Sequence, residues 1–174
     1  MAKTGIFYGP EKGSVDRVAH YIAKEFGEGK VDLISVNDKE PTLMEQYDKI
    51  IIGVSTVGMT NWNSDHLAND WDMFSKGLSE VNLKGKDVAI FSLGDQVTYP
   101  EHFVDALGWM ADKLEPLGAN IVGHVDPEDY DFDESEGFRD GIFLGLPVDE
   151  DTEPEKSEER VKAWVNLLTT KFGF

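Results

Sequence analysis

Strand-like apolar runs alternate with helix-like amphipathic runs five times along this chain, and that order leaves few folds open. Residues 3–8 read as a buried strand, and Val15, Val18, Ala19, Ile22, Ala23 and Phe26 follow at helical spacing. Residues 31–36 are a second strand. Residues 49–54 are a third, apolar throughout as a central parallel strand should be. A helix through Leu67, Trp71, Phe74 and Leu78 comes next, then a fourth strand over 87–93. Pro100 suits a first helical turn, and Phe103, Leu107, Met110 and Leu114 carry that helix to Gly118. Residues 120–124 are the fifth strand, and Val161, Trp164, Val165 and Leu168 mark the last helix. Such alternation predicts an α/β doubly wound parallel sheet with helices on both faces. Ligands of such sheets bind beyond the C-terminal strand ends, so the loops after strands one, three and four are the candidates.

Bulk properties narrow the function classes. The 174 residues suit a single domain over 1–174, and 40% hydrophobic residues can fill its core. The net charge of −18 repels nucleic acid and anionic membranes and attracts basic protein surfaces; its simpler use is solubility. No stretch approaches the roughly 20 apolar residues that span a bilayer. Residues 1–4 run straight into a strand without a secretory signal, and there is no cysteine, so a cytoplasmic protein is expected. His20, His66, His102 and His124 are scattered, no Gly-x-Ser-x-Gly occurs, and the many carboxylates single out no metal site, so no catalytic or metal centre is expected.

Three loops carry the chemistry. After strand one comes Pro10-Glu11-Lys12-Gly13-Ser14-Val15, a turn into a helix whose backbone N–H groups can face an anion. After strand three comes the stretch from Ser55-Thr56-Val57-Gly58 through Trp62-Asn63 to Asp70-Trp71. After strand four comes Leu93-Gly94-Asp95-Gln96-Val97-Thr98-Tyr99, leading to Pro100 and a helix with Phe103 and Asp105-Ala106.

The last of these closely resembles the flavin-ring loop of flavodoxins, and the resemblance extends over nearly the whole chain. It implies a five-stranded sheet in the order 2-1-3-4-5, an order that spacing alone leaves open. Residues 127–146 break the alternation and resemble the extra loop that interrupts the fifth strand in long-chain flavodoxins, with 144–149 as the strand's return. The alternative is an irregular surface insertion.

The resemblance also implies non-covalent flavin mononucleotide (FMN) and its contacts. Flavodoxins hold the phosphate with Ser/Thr-x-Thr-Gly-x-Thr; here Gly13 stays, while the three hydroxyl positions are Pro10, Lys12 and Val15. Backbone N–H groups of Glu11, Lys12, Gly13, Ser14 and Val15 are then the expected phosphate ligands, helped by the Ser14 hydroxyl and the Lys12 charge. The alternative is that this loop no longer holds phosphate. Anchored on Thr56, the inner stacking residue is Val57; anchored on Asp70-Trp71, it is Trp62, which the unbroken spacing favours. Gly58 or Asn63 supplies the peptide beside ring N5, and Thr56 is placed within reach of the phosphate. Tyr99 stacks on the outer face, with Leu93, Gly94 and Asp95 at the pyrimidine edge, His102 at the rim, and Asp151 near the ribityl chain.

The expected function is a low-potential carrier of single electrons between redox proteins, not an enzyme. It would be a monomer whose partners are basic-surfaced redox proteins such as ferredoxin–NADP reductase, with neither nucleic acid nor membrane. The alternatives are a flavodoxin-fold interaction protein with weak or no FMN, and a small FMN-dependent quinone reductase.

Overall fold

The computed structural model describes residues 2–56 and 70–174. Its strands are β1 (Thr4–Tyr8), β2 (Val31–Ser35), β3 (Lys49–Ser55), β4 (Asp87–Leu93), β5 (Asn120–Val122), β6 (Phe138–Arg139), β7 (Ile142–Phe143) and β8 (Leu146–Val148). Its α-helices are α1 (Ser14–Phe26), α2 (Asp70–Ser75), α3 (Asp105–Leu114) and α4 (Ser157–Phe172). The main sheet runs β2-β1-β3-β4-β5, all parallel, and β8 also pairs with β4. Residues 87–89 of β4 face β5 and residues 91–93 face β8. One edge position is thus filled by two strand segments, with the chain from 123 to 145 between them. The expected order and the interrupted fifth strand are both present.

Side-chain alternation along the central strands explains the two layers. Ile50, Ile52, Val54, Val88 and Ile90 bury against Trp71, Phe74 and the α3 residues Leu107, Met110 and Leu114. Their neighbours Ile51, Ala89, Phe91 and Leu93 bury on the other face, against Val15, Val18 and Ile22 of α1 and Val161, Trp164 and Leu168 of α4. Each such side chain contributes roughly 1.5–3 kcal/mol by leaving water. This uninterrupted apolar character is why β3 and β4 sit at the centre.

Two local expectations change. The third helix begins at Asp105, not Pro100. Pro100–His102 forms only a 3-10 turn, and Val104 takes φ 48° in the left-handed region, which breaks the helix before it starts. The inserted segment explains the break: Asp133 and Glu134 donate their N–H groups to the Pro100 carbonyl, and Phe103 donates to the Glu134 carbonyl. The insertion also contains an unexpected hairpin, β6–β7, joined by Asp140 and Gly141 with φ of 53° and 82°. Asp-Gly between two strands is the signal for such a turn. Phe103, Tyr130, Phe132, Phe138 and Phe143 pack around it, with the Phe132 and Phe143 ring centres 5.0 Å apart.

Candidate functional site

The parallel register brings the C-terminal ends of the strands level. Tyr8 lies opposite Gly53, Ser55 opposite Leu93, and Leu93 opposite Val148. Hydrogen bonds continue the ladder one rung past the strands: Gly9 N–H to the Gly53 carbonyl at 3.3 Å, Thr56 N–H to Leu93 at 2.9 Å, and Gly94 N–H to Val148 at 2.9 Å. The loops after β1, β3, β4 and β8 therefore leave the sheet at one edge.

At the first loop, Gly13 caps α1 without a side-chain hydrogen bond to the helix. The first intrahelical bond is Arg17 N–H to the Gly13 carbonyl, 3.0 Å. Helix geometry leaves the N–H groups of Gly13, Ser14, Val15 and Asp16 without an intrahelical acceptor. A Cβ placed on Gly13 would meet no heavy atom of the described residues within 4 Å, so those residues leave the space over the helix start open. Lys12 differs from expectation. With φ 64° it turns its N–H onto the Asp16 carboxylate at 2.8 Å, so that donor is spent inside the protein. Val15 contributes its N–H alone, because its side chain is buried in the core between α1 and the sheet. Glu11 and Lys12 are exposed, and Ser14 is half-buried.

One residue here escaped the sequence reading. Arg17 donates from Nη2 to the Ser14 hydroxyl at 3.1 Å and from Nε to Glu150 at 2.7 Å. Hydrogen bonding to Glu150, reinforced by its charge, raises the Arg17 pKa above its already high ordinary value. A guanidinium thus lies one hydrogen bond from the loop hydroxyl. The Ser14-x-x-Arg17 spacing was the only local signal, since Glu150 is 133 residues away.

Thr56 is also placed differently from expectation. It is 2% exposed, and its hydroxyl accepts from Ala106 N–H at 3.1 Å and lies 3.3 Å from the Ser92 hydroxyl. Val104 at the N-cap of α3 has no capping side chain, and Thr56, the residue after β3, supplies that cap. Its oxygen is committed to the scaffold. Val57, Gly58, Trp62 and Asn63 lie outside the described residues. Their downstream anchor is described: Trp71 is 1% exposed and donates Nε1–H to the Gly53 carbonyl at 2.8 Å.

The third loop is closed on itself. Asp95 accepts from the N–H groups of Val97 (3.0 Å) and Thr98 (2.7 Å) through Oδ1, and its carbonyl accepts from Tyr99 N–H at 3.0 Å. Leu93 and Gly94 are buried, Tyr99 is half-buried, and Val97 at the tip is 70% exposed. Gly94 is needed for packing, since a Cβ there would come within 2.7 Å of Val104 Cγ1. His102 places Nδ1 at 3.0 Å from the buried Asp105 carboxylate, whose other oxygen accepts from Glu136 N–H at 2.9 Å. Burial raises the Asp105 pKa despite these hydrogen bonds.

The turn after β8 completes the edge. Asp149 is fully buried and accepts from Gln96 N–H (3.1 Å), Asp151 N–H (3.1 Å), Thr152 N–H (2.8 Å) and the Thr152 hydroxyl. Burial, with Asp95, Asp149 and Glu150 close by, raises the Asp151 pKa. The structure therefore brings the first loop, the third loop and Asp151 together, linked by Arg17–Glu150 and by Gln96–Asp149.

A phosphate monoester fits the first loop. It needs hydrogen-bond donors and positive potential, and the helix start offers N–H groups, an open approach and a nearby guanidinium. Fold and edge together define a doubly wound protein of the flavodoxin-like order, with its ligand edge at the strand C-termini. A family model described as Flavodoxin matches residues 6–164. The chain is 41% identical to a flavodoxin of Synechococcus elongatus over 174 residues, 99% of each chain. It is 39% identical to flavodoxin 1 of Escherichia coli over 97% of this chain and 94% of that one. Among solved structures, Fusobacterium nucleatum flavodoxin bound to flavin mononucleotide aligns with a TM-score of 0.85 at 22% identity, over 95% of this chain and 96% of that one. The chain belongs to the flavodoxin family.

Proposed function

We propose that this protein binds one FMN at the C-terminal edge of its sheet and carries single electrons between redox proteins. The observation that supports this most strongly is the meeting at one edge of an open helix start with the closed, acidic loop 94–99. FMN, when bound, supplies one-electron redox chemistry; the protein supplies binding, orientation and electrostatics. Gly13, Ser14, Val15 and Asp16 donate N–H bonds to the phosphate, with the Ser14 hydroxyl and the charges of Arg17 and Lys12 beside them. Tyr99 covers one ring face, and the loop from Gly94 presents backbone to the ring edge. Asp95, Asp149, Glu150 and Asp151 surround that edge with negative charge, which resists added negative charge on the ring and favours a low potential. Among the described residues no helix is long and apolar enough to cross a membrane, and the proposed location is the cytoplasm.

Titration with FMN and with riboflavin tests this reading through quenching of flavin fluorescence. FMN is expected to bind at micromolar concentration or below, and more tightly than riboflavin. No quenching by either would sink the carrier reading and leave the interaction-protein one. Oxidation of NAD(P)H by the protein alone would favour a reductase.

The proposed partners are basic redox proteins such as ferredoxin–NADP reductase. The −18 charge supports this, as does a cavity of about 660 Å³ beside Val97 that is lined by Glu128, Asp129, Asp131, Asp133 and Glu153. Electrostatic steering then governs association, and salt screens it over a Debye length of about 8 Å. Stopped-flow rates with such a partner should fall as salt rises; a flat profile would remove this role for the charge.

A further inference from the structure

Gln96 follows Asp95 in the third loop, yet its side chain turns away from the loop and is 6% exposed in all. Its Oε1 accepts from Asp131 N–H in the insertion at 2.8 Å, and its Nε2 donates to Glu153 in the turn after β8. Its own N–H donates to Asp149 at 3.1 Å. Three bonds from one residue thus reach two distant parts of the chain, and its side-chain oxygen reaches the insertion.

Both of those parts are themselves held. Tyr130, next to Asp131, donates its hydroxyl to the Pro147 carbonyl in β8 at 2.7 Å. The Arg160 guanidinium stacks over the Tyr130 ring at 4.3 Å and bonds to both Asp129 and Glu153. Glu153 is further paired with Lys156. The loop 94–99, by contrast, has an interior set by Asp95. Gly94 N–H to Val148 holds its base, and the Pro100 carbonyl just beyond it accepts from Asp133 and Glu134. Between those two points Gln96 ties the turn itself to the insertion. A shift of the insertion at Tyr130–Asp131 therefore moves the turn that carries Asp95 and Tyr99.

We propose that Gln96 is a positioning residue that couples the inserted segment to the flavin-ring loop, so that the insertion sets the geometry, and hence the potential, of the bound flavin. This rests on the FMN reading for its redox consequence, while the coupling itself is a property of the ligand-free chain.

The test is a double-mutant cycle of Gln96→Ala and Tyr130→Phe. Tyr130→Phe removes the hydroxyl bond to Pro147 and keeps the ring, so the hydrogen bonds described for the ring loop are left intact. In the ligand-free protein, amide hydrogen exchange at Val97 and Thr98 should quicken with Tyr130→Phe in the wild-type background. It should quicken by clearly less when Gln96→Ala is already present, because only the link through Pro100 then remains. In the FMN-loaded protein, Gln96→Ala should weaken FMN about tenfold and shift the first one-electron potential. A tenfold difference in affinity between the two redox states corresponds to about 59 mV. Tyr130→Phe should shift the potential in the same direction by a smaller amount, and by less again when Gln96 is absent. Equal Tyr130→Phe effects in both backgrounds, or no effect of Gln96→Ala on exchange and potential in a folded protein, would overturn the coupling. Failure of the wild type to bind FMN would overturn the carrier reading instead, and the exchange measurement would still decide the coupling.

Discussion

The loop before α1 and the loop after β4 lie at the same edge of one sheet but treat their polar groups in opposite ways. Around Gly13 the described residues leave the helix start open: N–H groups without intrahelical partners, no side-chain cap, and no described atom over the glycine. Around Asp95 the polar groups are closed: the carboxylate caps its own turn, Gly94 is bonded to Val148, and Gln96 to Asp149, Glu153 and Asp131. An open helix terminus carries positive potential and invites an anion. A closed turn holds a shape against which a ring can rest. The difference supports the proposal that the charged end of FMN goes to one loop and its planar end to the other.

The largest test breaks the closed side. Asp149→Ala leaves the N–H groups of Gln96, Asp151 and Thr152 without their buried acceptor. A loss of about 3 kcal/mol in chemical unfolding is expected, since hydrogen bonds to a charged group contribute about 1.5–3 kcal/mol each and part is regained from water. A loss under about 1 kcal/mol would mean the turn is not held by this carboxylate.

The next test sharpens the open side. Arg17→Gln should weaken FMN about tenfold, corresponding to loss of one charge-assisted bond of about 1.5 kcal/mol, while riboflavin affinity stays the same. If both ligands weaken equally in isothermal titration, Arg17 shapes the loop through Ser14 and Glu150 and does not act on the phosphate.

Thr56 decides where the middle loop belongs. Removing its hydroxyl with Thr56→Val should cost about 1 kcal/mol of stability as a lost helix cap, and Thr56→Ser should restore most of it. A selective fall in FMN over riboflavin affinity, with stability unchanged, would move Thr56 to the phosphate side.

The smallest effect concerns the acidic rim. The Asp151 carboxyl, raised above its ordinary value of 3.8, binds its proton more readily in the folded chain than in the unfolded one. Its contribution to stability is therefore greatest below pH 3.8 and declines as pH rises through the folded value. Asp151→Asn removes that decline, so the variant should gain on the wild type as pH goes from 3 to 6. Because Asp151 is exposed, solvent screening keeps the gain under about 0.5 kcal/mol. Parallel stability curves across that range would show that crowding by Asp95, Asp149 and Glu150 has no energetic weight.

Much of this was legible in the residues. The apolar runs at 49–54 and 87–93 marked the central strands, and Val15, Val18, Ala19 and Ile22 marked the buried face of α1. Apolar periodicity reports which face of an element leaves water, and that is a local property. The strand order came from family resemblance, and the strand pairings across the whole sheet bear it out.

What only the tertiary structure decided is where the hydrogen bonds go. The pattern of the third helix started at Pro100, but contacts from Asp133 and Glu134 delayed it to Asp105. Thr56 looked available to a ligand until Ala106, 50 residues on, proved to need a cap. The partners of Arg17 and Gln96 could not be read locally, because Glu150, Asp131 and Glu153 are distant in sequence. A side chain's composition states how many bonds it can make, and burial makes leaving them unmade costly. Which partner satisfies them depends on what the folded chain brings within about 3 Å. The sequence by itself determined the layers, the edge and the family; the folded arrangement alone decided which polar groups at that edge were spent and which were left for a ligand.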